Sequence, residues 1–436
     1  MLGVRFRKRF MTRLFYPPLF CIATLSIALG ASYTANQAYA NEQKKSTVAV
    51  PYPHANEPIG TVRQMYDGAL SPELAVNTFR NIDRLFPVNK IKAAPTKQVL
   101  NLPVADFKQR QQLAQLEWKE RGQAMNLSRF FDLNRIAGAL VLKDGKVVLE
   151  QYRYGNTEQT RWMSMSVAKS ITSTLVGAAL KQSKIKSLRD PVSVYVPELK
   201  GSGYQDASVR DVLMMASGVA WSEAYSDPTS DRRRLLEAQI SQKPGAAIEV
   251  MRKLPRVAEP GTMANYNTGE TQVVAQVLRN AIGRSLSEYL SERIWSRFGM
   301  EADANWWLDS PNGVEIGGSG ISATLRDYGR FGLFMLNQGK IKNESILPDG
   351  WTYEATTPTL MKNGKPLAYG YLWWPAMDPA GQRDAAYSAI GIHGQTMYIN
   401  PASQLVIVLW GAQVRPTGGA VSDNAAFFRA VNAVLR

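Results

Sequence analysis

The chain has 436 residues, 45% hydrophobic and 20% charged, which excludes a disordered polymer and is too long for one small core. The formal charge is +15, but no basic stripe interleaved with aromatics is present, so nucleic acid is not expected as a partner. Only two histidines, His54 and His393, and one cysteine, Cys21, occur, which excludes imidazole-rich zinc centres and a disulfide framework; no metal and no cofactor is expected.

The first 40 residues hold Arg5, Arg7, Lys8, Arg9 and Arg13 and no acid, then an uncharged apolar run from Leu19 to Ala31, then Ala38-Tyr39-Ala40. That is the order of a secretory signal, with a mature start near Asn41 and a bacterial periplasmic or secreted location. The apolar run is short for a bilayer span of roughly 20 residues, so no membrane span is expected once the signal is removed. An uncleaved anchor is the alternative.

Residues 41–134 read as an N-terminal extension. Its opening, 41–60, is polar and contains proline, and "DFKQRQQLAQLEWKERGQAM" (106–125) reads as a charge-rich helix. The main domain follows, 135–436. "IAGALVLKDGKVVLEQYRYG" (136–155) gives two β-rich runs around Asp144-Gly145, a hairpin signal. Residues 166–340 are mainly helical. Strands return at 395–401 and 404–410, and a last helix begins near Asp423 with Ser422 as its N-cap. Strands at both ends with helices between them predict an α+β fold: one antiparallel sheet built from both ends of the domain, plus a mainly helical subdomain.

Within "WMSMSVAKS" (162–170), only Ser166 has a lysine three positions on, Lys169. On a helix that spacing puts both side chains on one face, with Cβ atoms about 5–6 Å apart. A serine hydroxyl is a weak nucleophile until a base takes its proton, and a lysine desolvated by Val167, Ala168, Ile171 and Leu175 can be neutral enough to do so. The backbone N–H of a serine at a helix start is also free to polarise a carbonyl. The plain alternative is a helix start with a snorkelling lysine. Ser183 and Lys186 repeat the spacing in a charged stretch that reads as solvated. Tyr266, in "EPGTMANYNTGETQVVAQVL" (259–278), stands just before a helix. It is either a second proton handler, a phenol whose ionised form a neighbouring ammonium favours, or a buried core tyrosine.

"SVAKS" (166–170), "PGTMANYNTGE" (260–270), "GGSGISATLRDYGRFG" (317–332) and "GIHGQTMYINP" (391–401) occur in the order of the serine β-lactamase and penicillin-binding superfamily, which this chain resembles. "WSEAYSDPTSD" (221–231) and "EADANWWLD" (301–309) are most similar to the nylon-oligomer (6-aminohexanoate-dimer) hydrolases of its class C-like branch. The resemblance covers about 135–436 and, more weakly, 57–87. It implies Ser166 as nucleophile, Lys169 as its base and Tyr266 as the residue that passes a proton to the leaving group. It also implies the backbone N–H groups of Ser166 and Gln395 as oxyanion donors, and Tyr225 and His393 as substrate contacts. Two departures stand out. The tyrosine motif, usually Tyr-x-Asn, reads Tyr266-Asn267-Thr268. The strand motif, usually a cation and a hydroxyl before glycine, reads Ile392-His393-Gly394, so the anchor for a β-lactam carboxylate is incomplete.

The expected function is a serine hydrolase that cleaves a small amide or ester through an acyl-enzyme. A β-lactamase or D,D-peptidase of the same fold is the alternative, and a non-enzymatic envelope-binding protein is a further one. An α/β-hydrolase would need Gly-x-Ser-x-Gly, which does not occur. Nothing in the sequence specifies an oligomeric state.

Overall fold

The computed structural model describes residues 52–436. Cys21 and the expected signal and cleavage site lie outside the described residues. The principal sheet has six strands, all antiparallel, in the order 374–375, 387–391, 395–400, 405–411, 136–143, 146–152. The last long strand of the chain therefore pairs with the first of the main domain, as the pattern of strands at both ends predicts. The hairpin turns at Asp144 and Gly145, both with positive φ (51° and 74°), the backbone of a tight primed turn.

Strands 136–143 and 405–411 are buried almost throughout because both faces are covered. Alternation divides them. Leu140, Leu142, Val406 and Val408 face the core shared with helix Leu325–Leu336 and the helical region. Ala139, Val141, Leu405 and Ile407 face Phe427, Phe428 and Val431 of helix Asn424–Leu435. This is the period of two expected of a strand covered on both sides. A smaller antiparallel sheet, ordered 88–91, 304–307, 321–324, 161–164, leads directly into helix Val167–Lys181. Its outer strand, 88–91, comes from the stretch before residue 134, and Val62, Tyr66 and Phe79 from that stretch lie in the same core as the serine helix.

Two local expectations are corrected. Residues 106–125 are not one helix: Phe107–Ala114 is helical, capped by the Asp106 carboxylate, and Glu117–Glu120 then pairs with Gln123–Asn126 as a hairpin. Arg121 and Gly122 hold positive φ at its turn, and Trp118 packs on Phe130 and Phe427. Tertiary burial of Trp118 thus overrides a weak helical preference. Ser422 is not the cap of the last helix either. Asp423 is, through Oδ1 and the N–H of Ala425, while the Ser422 hydroxyl donates to Glu120. No helix among the described residues is long and apolar enough to cross a membrane.

Candidate active site

Helix Val167–Lys181 starts immediately after Ser166, and residues Val167 to Ala179 are all buried. A helix enclosed on every side must satisfy its polar side chains internally. The Ser170 hydroxyl donates to the Leu372 carbonyl at 2.7 Å, and Thr172 donates to that of Gly317 at 2.8 Å. Lys169 does the same with greater consequence. Its Nζ lies 2.9 Å from Ser166 Oγ and 3.2 Å from the Gly318 carbonyl, and the residue is 1% exposed. Burial disfavours the ammonium, and the Arg232 charge acts in the same direction. Glu223 opposes them, and the result is a pKa lowered to about 7.

Gly317 and Gly318 are glycines for steric reasons. A Cβ on Gly317 would come within 2.3 Å of the Thr271 carbonyl oxygen, and one on Gly318 within 2.5 Å of Thr271 Oγ1. Only bare backbone lets helix Thr268–Ile282 pack close enough for the Gly318 carbonyl to reach the lysine. The motif is visible in the sequence, but this role is not.

Tyr266 joins the pair. Its ring has Lys169 Nζ 5.5 Å from its centroid and stacks on Trp374 at 5.5 Å. Burial first, and the Glu223 charge second, push its phenol above the ordinary value, while contact with Ser166 pulls it down. The phenol thus keeps its proton in the resting site, which leaves Tyr266 able to donate one.

Glu223, which sequence reasoning did not single out, organises this side of the cleft. It accepts from Trp221 Nε1, from the Thr268 N–H at 2.9 Å, from the Thr268 hydroxyl, and from the Tyr225 hydroxyl at 2.8 Å. Tyr225 is thereby held at the cleft with Ser166 and Tyr266. The departure at Thr268 also gains a role: it binds Glu223, while Asn267 is fully buried as the N-cap of its helix. Behind this loop, Glu270 is buried against Ser217, and desolvation raises its carboxyl well above the usual range.

Opposite the serine, Ile392, His393 and Gly394 link two neighbouring strands, with φ of +67° at His393 and +88° at Gly394. The φ of Gly394 is one that side chains rarely adopt, which favours glycine at this turn. The Gln395 side chain accepts from the Met165 N–H at 2.7 Å, which ties this strand to the residue before the nucleophile. His393 is corrected as a substrate contact. Its ring is 0% exposed, packs on Phe79 at 4.7 Å and bonds through Nδ1 to the Gln413 carbonyl at 2.8 Å. Burial lowers its pKa to about 4, so it stays neutral. Ile392 lines the cleft in its place. The structure thus brings Ser166, Lys169, Tyr266 and Tyr225 together and leaves His393 in the core. The second Ser-x-x-Lys pair, Ser183 and Lys186, is exposed. No cluster of metal-ligating side chains is found among the described residues.

A serine hydroxyl bonded to a buried lysine at a helix start, between two antiparallel sheets, defines an active-site serine hydrolase. The comparisons agree: a family model described as Beta-lactamase matches residues 131–431, and the chain belongs to that family. The 6-aminohexanoate-dimer hydrolase of Paenarthrobacter ureafaciens is 31% identical over 283 residues, covering 62% of this chain and 70% of the relative. Two solved structures share the fold. A Bacillus anthracis protein put forward as a 6-aminohexanoate-dimer hydrolase is 24% identical, covers 82% of this chain and 92% of its own, and has a TM-score of 0.71. A family VIII carboxylesterase is 15% identical, covers 77% and 98% respectively, and has a TM-score of 0.55.

Two pH effects follow. If Lys169 is the base, activity falls as pH drops below about 7 and the amine gains its proton. A rate that stays flat from pH 5.5 to 9 in the folded protein would exclude a base titrating there. Glu270 acts on stability instead. Its folded pKa lies above its unfolded value, so its contribution is full below the unfolded pKa and is lost as pH rises. Glu270→Gln keeps a neutral group in place, so its melting temperature relative to wild type should climb between pH 5 and pH 8. A difference independent of pH would show that Glu270 is ionised in the native state.

Proposed function

We propose that this hydrolase cleaves an amide or ester bond of a small molecule through an acyl-enzyme on Ser166. The observation that carries the proposal is Lys169 Nζ, enclosed and 2.9 Å from Ser166 Oγ. Lys169 takes the hydroxyl proton as Oγ forms its bond to the carbonyl carbon. The backbone N–H groups of Ser166 and Gln395 hold the developing oxyanion, with Gln395 kept in register by its bond to Met165. As the carbon–heteroatom bond breaks, Tyr266 gives its proton to the leaving group and is reprotonated from Lys169. Water, deprotonated by the same pair, then releases the acid and restores Ser166. Tyr225 contacts the substrate near the scissile bond.

A linear amide like that named for the Paenarthrobacter relative and a simple ester both suit this site. A β-lactam is less suited, because Ile392 occupies the place of the cationic anchor and His393 is buried. A charge-assisted hydrogen bond missing from a buried site costs on the order of 2–3 kcal/mol, about two decades in rate. We further propose that the chain is exported, on the strength of its basic start, apolar run and Ala38-Tyr39-Ala40. N-terminal sequencing of exported protein should begin near Asn41, and a start at Met1 would reject cleavage.

Ser166→Ala and Lys169→Ala should each abolish nearly all turnover, with no further loss when combined, as for residues acting as a unit. Catalytic efficiency for p-nitrophenyl butyrate should exceed that for nitrocefin by about two decades. Retained activity in Ser166→Ala would end the mechanism, and a clear preference for nitrocefin would end the substrate assignment.

A further inference from the structure

Helix Asp231–Ile240 opens with three arginines in a row, and they are not used alike. Arg233 pairs with Asp67, and Arg234 pairs with Asp231. Arg232 is 1% exposed and forms no ion pair among the described residues. Its Nη2 donates to the Tyr66 hydroxyl, and its guanidinium carbon lies 4.5 Å from the centre of the Tyr66 ring. Its Nε and Nη1 are enclosed without a hydrogen-bond partner. A buried cation with no counter-ion and two idle donors is costly to a fold, because the hydration it lost is not replaced. Packing alone would be served better there by an apolar side chain.

That charge stands beside the reacting groups. The Tyr66 ring lies 6.0 Å from the ring of Tyr225, which lines the cleft with Ser166 and Tyr266. The Glu223 carboxylate accepts from the Tyr225 hydroxyl at 2.8 Å and from the Thr268 N–H at 2.9 Å. Burial is the largest influence on Lys169, Tyr225 and Tyr266. After it, Glu223 favours the protonated form of all three and Arg232 the deprotonated form. Arg233 also faces Tyr66, but Asp67 compensates its charge.

Resting on the acyl-enzyme reading above, we infer that Arg232 is a positioning residue for catalysis: its unpaired charge offsets that of Glu223, so that Lys169 meets the substrate as a free amine and Tyr266 can release its proton to the leaving group. Glu223 is needed to hold Tyr225 and Thr268 in place, and unopposed it would hold a proton on the lysine. A unit charge acting over roughly 10 Å at an effective dielectric constant of about 20 moves a proton affinity by about one pH unit. An acid partner for Arg232 would cancel that effect. Its lack of one, a cost to the fold, is what makes it useful to the site.

The pH profile of kcat/KM for p-nitrophenyl butyrate tests this in Arg232→Met, Arg232→Gln and Arg232→Lys. Glutamine keeps a partner for the Tyr66 hydroxyl should methionine disturb folding, and lysine keeps the charge. In the neutral variants the acid limb should move up from about 7 by about one pH unit. Turnover then falls about fivefold at pH 7 and returns to within about a factor of two of wild type at pH 9. Arg232→Lys should keep the wild-type limb. Glu223→Gln, which removes the opposing charge, should move the limb down, and it supplies the test if no Arg232 variant folds. A limb unmoved in the folded neutral variants, or moved equally in Arg232→Lys, overturns the inference. So does a loss equal at every pH, which would make Arg232 a packing residue, and so does an unmoved limb in Glu223→Gln. Labelling of wild-type Ser166 by a fluorophosphonate separates the failures: a labelled serine with an unmoved limb removes only this inference. An unlabelled serine with no ester turnover removes the acyl-enzyme reading as well.

Discussion

Everything in the site depends on a lysine kept out of water. Lys169 is enclosed on a helix buried on all sides, where the Gly317-Gly318 turn before strand 321–324 presses against helix Thr268–Ile282. Its Nζ has two acceptors and no acid in direct contact. Desolvation without a full counter-charge lowers the amine's proton affinity into the range where it can act as a base. An exposed lysine would remain an ammonium, and a lysine paired with a carboxylate would be held as one. The close approach of two backbones at bare glycines is what allows the intermediate case.

Glu223 balances this arrangement. It is near enough to raise the proton affinity of Lys169, Tyr266 and Tyr225, but its oxygens are occupied by Trp221, Thr268 and Tyr225. It acts on the lysine through space, and through hydrogen bonds it fixes the position of Tyr225. Arg233 secures the same loop from outside, donating to the Tyr225 carbonyl at 3.0 Å while pairing with Asp67. Tyr66 and Asp67, from early in the chain, therefore support the cleft wall, with the Tyr66 and Tyr225 rings 6.0 Å apart.

The opposite wall is shaped by backbone conformation. Two successive residues with positive φ, His393 and Gly394, turn the chain so that the His393 ring enters the core against Phe79 and Ile392 faces the cleft. A motif read only as residue types assigns the histidine to substrate. The dihedral angles assign it to packing, where its Nδ1 bond to the Gln413 carbonyl holds the 413–416 segment beside the site.

The sequence by itself determined the elements whose signals are local. The Asp144-Gly145 hairpin, the strands at both ends, the i,i+3 pair Ser166 and Lys169, and the tyrosine before a helix all follow from spacing of one turn or less, which backbone geometry converts directly into proximity. Tertiary structure decided what depends on distant neighbours. Trp118 became strand rather than helix because Phe427 lies across from it, and Asp423 rather than Ser422 took the cap because Glu120 draws the serine hydroxyl away. Glu223, Gly318 and Gln395 gained their roles from segments 45 to 230 residues away, and His393 lost its expected one to a core that closes over it. Desolvation and hydrogen-bond competition are properties of an enclosed volume, and a volume exists only once the segments have been brought together.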